Sequence, residues 1–433
     1  MKNDRSVWQP FVASAIVLSI VAGFGLGGGL FSIVALDRSS GAWWAAAAQV
    51  HGHIQYAGWA GLMVLGVGLH FVPRLAGVPP VSSRRAYLAL ALILSGLIIR
   101  ALAQPWLAEH SSYGAGDLVR ASLAVSAIAE LAGVVLAVSM LGRVVSSGRN
   151  LRAKPELRAV LPFFGLALCG FPLALTANAA GVLDMIAGSG AIVDRKLDDL
   201  TIQLAFYAFL VPISIAMSAR TFPLYARTKP PRPAGLRAVV VLMITGLVMR
   251  VTGDLFSANV IGGTGRVMQA LGIFAGILAL GIFGPRVPLP RREVRVYTDP
   301  VQLHLVTAYC WLGVAGFVLV NAGVELLGWR ALDLAETLEW HALGAGFVTI
   351  LIVGVGQLLL PGFARQPLRA RRLLWATLLL GNAAAALRIV PVMAGTRFQH
   401  GDTMLALSGL AGLATLCVFA VNIGAFRWRS QPE

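Results

Sequence analysis

The sequence predicts an all-α fold, a polytopic membrane helix bundle of about twelve transmembrane helices. Three observations predict it. The 433-residue chain is 57% hydrophobic and only 12% charged, with a mean hydropathy of +0.77, whereas a soluble domain carries about a quarter charged residues. Its apolar residues gather into runs of roughly 20 residues or more, the length of helix that crosses a bilayer. The segments between those runs take the Lys and Arg alternately, as expected when every second loop lies in the cytoplasm. The balance of 35 basic against 19 acidic residues gives a net charge of +16. The alternation accounts for that excess, so the expected partner is the lipid bilayer and no nucleic acid is needed.

The spans fall near residues 10–36, 44–72, 86–104, 118–141, 159–183, 200–219, 238–257, 264–284, 302–328, 338–361, 373–394 and 403–426. On this reading 1–433 is a single integral membrane domain with both termini cytoplasmic. The first run follows MKNDRSVWQP without a small-residue cleavage pattern, so it reads as a retained helix rather than a signal peptide. Its GFGLGGG at 23–29 suits close helix packing. The second run carries His51 and His53 near its start and His70 near its end. Arg100 lies in the third, Arg120 and Glu130 in the fourth, and Cys169 in the fifth. The sixth, TIQLAFYAFLVPISIAMS, and the seventh, VVVLMITGLVMRVTG, contain no histidine. Arg250, Asp254 and Arg266 crowd the junction of the seventh and eighth. The ninth opens with His304 and holds Cys310 and Glu325, the tenth contains His341 within ETLEWHALGAGF, the eleventh contains Arg388 and the twelfth Cys417. No inverted repeat is visible, which disfavours a transporter built on one.

Several chemistries are excluded. Cys169, Cys310 and Cys417 are too scattered for a disulfide framework or a zinc spacing. There is no Cys-x-x-Cys-His for covalent haem attachment and no Gly-rich phosphate loop of the G-x-x-x-x-G-K-[ST] type. The loops are too short for an extramembrane catalytic domain, so any chemistry belongs within the bilayer.

The histidines carry the best signal. The topology places His51, His53 and His341 at the outer level of the membrane, His110 and His400 in outer loops, and His70 and His304 at the inner ends of their spans. An ionisable residue inside a span is a functional candidate, and neutral imidazole is both a metal ligand and an axial ligand of haem iron. His51 and His53 point about 200° apart around a helix, so they do not serve one face of one metal. The plain alternative is a pair of interfacial residues bonded to water or carbonyls. His70 and His304 suit either an inner metal site or snorkelling toward interfacial water. Arg100, Arg120 and Arg388 each need an anion. Haem propionates suit Arg120 or Arg388, and Glu130 or Glu325 would serve as internal partners. Glu336 and Glu339 lie beside His341. Tyr56 and Trp59 line a haem pocket or belong to an aromatic belt, and Asp194, Asp198 and Asp199 read as a solvated loop face.

The stretch HGHIQYAGWAGLMVLGVGLHFVPRLAG at 51–77 resembles the second helix of haem-copper oxidase subunit I. The same His-x-His and Val-Pro, with SARTFPLYARTKP at 218–230 and WHALGAGFVTILIVGVGQLLLPGFAR at 340–365, are similar to elements of the NnrS family, a twelve-span relative. That resemblance implies a non-covalent b-type haem with copper as a second metal, His51 as first axial ligand with His53 as its alternative, and His341 as the opposing ligand. It also implies a bacterial inner-membrane location and a role in nitric oxide metabolism, denitrification or resistance to nitrosative stress. Nitric oxide or a related small molecule is then the partner, and the redox partner stays unnamed. With no histidine in spans six and seven and one in span ten, the three-His copper centre of an oxygen or nitric oxide reductase cannot be assembled. The enzymatic reading left is a redox haemoprotein that handles nitric oxide. Two others stay open: a haem-copper-type reductase or electron-transfer subunit, and a cofactor-free transporter whose intramembrane His and Arg form a proton or anion path. Reporter fusions at the C-terminus and within 142–158 should give cytoplasmic signals, and fusions within 109–117 the opposite. A broken alternation overturns the twelve-span reading.

Overall fold

The computed structural model describes residues 6–36, 38, 41–110, 116–288, 298–394 and 401–428. Among them are twelve helices long and apolar enough to cross a membrane: α1 (Trp8–Ala35), α2 (Trp43–Ala76), α3 (Ser83–Glu109), α4 (Gly116–Ser147), α5 (Pro155–Ala187), α6 (Arg195–Tyr225), α7 (Pro233–Leu255), α8 (Asn259–Leu280), α9 (Pro300–Leu326), α10 (Thr337–Ala364), α11 (Arg372–Ala394) and α12 (Gly401–Ile423). The protein is an all-α, multi-pass membrane protein. Every expected span has its helix, and the differences lie at the ends, where polar caps extend or stop a helix regardless of hydropathy. α6 starts before its apolar stretch because the Asp194 side chain accepts the Lys196 N–H at 2.9 Å. α9 likewise starts on Asp299, which accepts the Val301 N–H at 3.0 Å with Pro300 in the first turn. α8 stops at Gly281 in a left-handed conformation with φ of 61°.

Among the described residues four helices carry π-helical segments: Ser19–Gly25 in α1, Ile54–Gly61 in α2, Leu204–Leu210 in α6 and Ala342–Val348 in α10. A π turn inserts a residue into the α-helical ladder, redirects the side chains around it and is frequent at functional sites. The segments in α2, α6 and α10 reveal a repeat. Each of these helices has a proline near its end, Pro73, Pro223 and Pro361. Twenty residues before these stand His53, Gln203 and His341, and 27 residues after them, on the next helix, stand Arg100, Arg250 and Arg388. Because four spans separate its members, the repeat runs in one direction and is not inverted.

By contacts the chain gathers into two compact units, 1–151 with 168–205 and 402–433, and 152–167 with 206–401. In the first, Trp8, Phe11, Trp59, Phe171 and Phe419 are buried, and Trp59 meets Phe419 edge-on at 6.3 Å. In the second, Tyr309 packs edge-on between Phe222 and Phe347, at 5.6 and 5.2 Å. Helix pairs that follow one another along the chain approach through glycine. A Cβ on Gly96 of α3 would lie 2.8 Å from the Glu130 Cβ on α4, and one on Gly246 of α7 would lie 2.6 Å from the Gln269 nitrogen on α8. Thus Glu130 and Gln269 hold matching positions, four residues of helix before Arg100 and Arg250 being met by the same close approach. Gly246→Val should lower stability by about 1–3 kcal/mol through overpacking, read as a lower thermal midpoint in detergent. Gly235→Val, whose Cβ meets only Ala279 at 3.9 Å, should leave it unchanged.

Candidate functional site

In the first unit the start of α2, the end of α3 and the middle of α4 and α5 bring charged and polar side chains together in a buried cluster. His53 Nε2 faces Glu130 Oε2 at 2.8 Å, and His53 Nδ1 faces the Tyr56 hydroxyl at 2.6 Å and Arg100 Nη1 at 3.1 Å. A guanidinium can only donate, so Nδ1 accepts, and the ring proton sits on Nε2 directed at the carboxylate. Arg100 also donates to Gln104 Oε1 at 3.0 Å and to Asn178 Oδ1. Gln104 then donates to Gln49 Oε1 at 3.0 Å, and Gln49 donates to the Val193 carbonyl at 2.9 Å and toward Asp198 at 3.4 Å. The π segment starting at Ile54 lies directly after His53 and contains Tyr56, which places that hydroxyl back against the ring.

His51 lies apart from this cluster and faces α1. Its Nδ1 lies 2.9 Å from the Gly23 carbonyl. A carbonyl can only accept, so Nδ1 carries the proton and Nε2 holds the lone pair. Gly23 sits within the α1 π segment at φ −87° and ψ −106°, where the helix is interrupted.

In the second unit the arrangement is an ion pair. Arg250 of α7 donates to both Glu339 oxygens of α10, at 2.7 and 3.3 Å, and the Tyr207 hydroxyl of α6 donates to Glu339 Oε1 at 2.7 Å. Arg250 also reaches Gln269 Oε1 at 3.4 Å and lies over the rings of Tyr207 and Trp340, 5.4 and 5.2 Å from their centroids. Asp254 accepts two bonds from Arg266, at 2.9 and 3.1 Å. These charges belong inside a span only because they come as a hydrogen-bonded pair. His341 follows Glu339 by two residues and is half-buried, with Nδ1 donating to the Thr337 carbonyl at 2.7 Å. It therefore has the same tautomer as His51.

The other expected site residues are placed differently. His304 is buried with both nitrogens engaged, Nδ1 by the Pro300 carbonyl at 2.6 Å and Nε2 by the Thr377 hydroxyl at 3.2 Å. His70 packs edge-on to Trp8 at 6.0 Å. His110 stacks on Trp106 at 4.8 Å, and His400 lies outside the described residues. Arg120 contacts Asp117 at 3.5 Å and the Ser189 carbonyl at 3.3 Å near the start of α4. Arg388 is half-buried on α11 at the repeat position of Arg100 and Arg250. Trp59 sits in the core, and the side chain of Tyr56 belongs to the His53 cluster. Among the described residues no group of three His, Cys, Asp or Glu stands together as a metal set.

The NnrS protein family matches residues 7–430. The chain belongs to the NnrS family. No curated protein matches it. A solved cryo-EM structure of a haem-copper terminal oxidase dimer resembles this NnrS protein over 98% of the present chain and 86% of that one, with a TM-score of 0.70 at 11% identity. At that identity the likeness concerns the fold.

Gln49, Gln104, Asn178, Tyr207 and Gln269 of this NnrS protein were not legible as site residues one by one, since each is an ordinary polar residue in an apolar run. The signal that finds them is the common spacing from proline to arginine, which marks the two positions around which they gather. Glu339→Ala should destabilise the protein by about 3–5 kcal/mol, because it leaves Arg250 buried without its counter-charge. Thermal unfolding in detergent should show this as a large drop, and the added replacement Arg250→Leu should recover part of it.

Proposed function

We propose that this NnrS protein binds a non-covalent b-type haem in the membrane and handles nitric oxide, with His51 and His341 each offering an imidazole ligand to iron. The observation that carries the reading is the tautomer of these two histidines. Each donates Nδ1–H to a backbone carbonyl, at 2.9 Å for His51 and 2.7 Å for His341, which is the outer partner that metal-bound imidazoles usually have. The membrane-oxidase fold and the family point the same way. Haem iron, when bound, supplies a redox centre that transfers electrons with two imidazoles and binds nitric oxide where one position is open.

The chain's own residues supply the rest. Gly23 and Thr337 hold the two imidazoles in one tautomer. The His53–Glu130–Arg100 cluster keeps a carboxylate and a guanidinium inside the first unit and excludes solvent from it. Arg250 and Glu339 anchor the start of α10, so His341 is presented from a fixed turn. The reading includes residence in a bacterial inner membrane and protection from nitrosative stress. Copper as a second metal belongs to the reading only through the family, since no group of three His, Cys, Asp or Glu stands together among the described residues.

Protein purified in detergent from haem-replete cells should show a reduced-minus-oxidised haem spectrum that shifts with nitric oxide. His51→Ala and His341→Ala should abolish or grossly alter it, while His304→Ala should retain it. Well-folded, colourless protein would sink this reading and favour a transporter.

A further inference from the structure

The glycine run of α1 has one residue for each of several tasks around His51. Gly23 offers the carbonyl that accepts the imidazole Nδ1–H at 2.9 Å. Its own surroundings are full: a Cβ there would lie 3.0 Å from the Ser19 hydroxyl and 3.3 Å from the Gln55 amide. Gly25 follows the bend at Gly23 in regular helical geometry, and a Cβ on it would collide with the Ile20 carbonyl across the π segment, so only glycine lets the chain close up there. Gly27 makes the room: a Cβ there would lie 2.6 Å from His51 Cε1 and 2.9 Å from Nδ1, inside the ring's van der Waals envelope. Gly28 serves packing, with its backbone against Gly409 of α12, and Gly29 meets nothing within 4 Å. Helix packing alone explains Gly28. It does not explain a bend that delivers a carbonyl to one ring nitrogen, followed one turn later by a gap shaped for the same ring.

We propose that Gly23, Gly25 and Gly27 of α1 are positioning residues for His51, setting its ring orientation and the electron-donating strength of its Nε2 toward haem iron. This rests on the reading of His51 as a haem ligand. The physical basis is that an Nδ1–H bonded to a carbonyl makes the opposite nitrogen more basic and fixes the ring plane. A ring free to rotate, or one that has lost this bond, is a poorer and differently oriented donor. The same α1 segment thus sets both where the imidazole points and how strongly it donates.

Two experiments on the full-length, haem-loaded protein test this. In the first, Gly27→Ala, Gly25→Ala and the control Gly29→Ala are compared by haem affinity, low-spin electron paramagnetic resonance and midpoint potential. The first two should lose about 10- to 100-fold in haem affinity, the range for outer partners of a metal ligand, and the haem they retain should show shifted resonance and potential. Gly29→Ala should match the parent. The second leaves α1 untouched: His51→Gly is supplemented with imidazole or with 1-methylimidazole. Imidazole can ligate through one nitrogen and donate the other N–H to Gly23, whereas 1-methylimidazole cannot donate. Imidazole should restore the parent spectrum at least tenfold more effectively.

Equal rescue by the two compounds, or Gly27→Ala and Gly25→Ala indistinguishable from Gly29→Ala, overturns the positioning role while leaving His51 as a ligand. A parent haem spectrum unchanged in His51→Ala overturns the ligand reading itself. The rescue experiment decides the matter even where the glycine variants fail to fold.

Discussion

A charged or hydrogen-bonding side chain carried into an apolar bundle must be met there by a partner, because the surroundings offer no water to replace one. The polar architecture of this protein follows from that constraint. Arg250 is met by Glu339, Tyr207 and Gln269. Arg100 is met by Asn178, Gln104 and His53, and His53 in turn by Glu130. Each arginine draws its partners from several helices, so the clusters also fix how those helices are registered within their own unit.

The two clusters are variations on one plan. The same spacing from proline to arginine recurs, and Glu130 in one corresponds to Gln269 in the other by the glycine approach that holds the helix pair together. The acid is supplied differently: by α4 in the first unit and by α10 in the second. As a result His53 is committed to its carboxylate, while the histidine at the corresponding repeat position, His341, follows a carboxylate already committed to arginine. That difference leaves His341 with a backbone partner and His53 without one. It separates two histidines that the repeat makes equivalent.

The π segments supply local geometry that a continuous α-helix cannot. In α2 the segment starts immediately after His53, and in α10 it starts immediately after His341. In α1 the segment interrupts the helix at Gly23, turning a residue from the packing stripe into a hydrogen-bond acceptor for His51. Which groups meet each histidine thus depends on where the helical ladder is broken as much as on which side chains are present.

The twelve spans were legible in the sequence because a bilayer-length apolar run and alternating basic loops leave little choice of structure. His51, His53 and His341 stood out in the sequence too, as rare ionisable residues in apolar runs. The different hydrogen-bond partners of His51 and His53 were not legible, because both lie on one turn and differ only in what other helices bring to them. Glu130 and Asn178 come from α4 and α5, and Gly23 from α1, at sequence separations that no local pattern encodes. Hydropathy and loop charge, which are local sums, by themselves determined the fold class. The partners of His51 and His53 were decided only by the tertiary structure, since hydrogen bonds between helices depend on rotation, depth and breaks in the helical ladder.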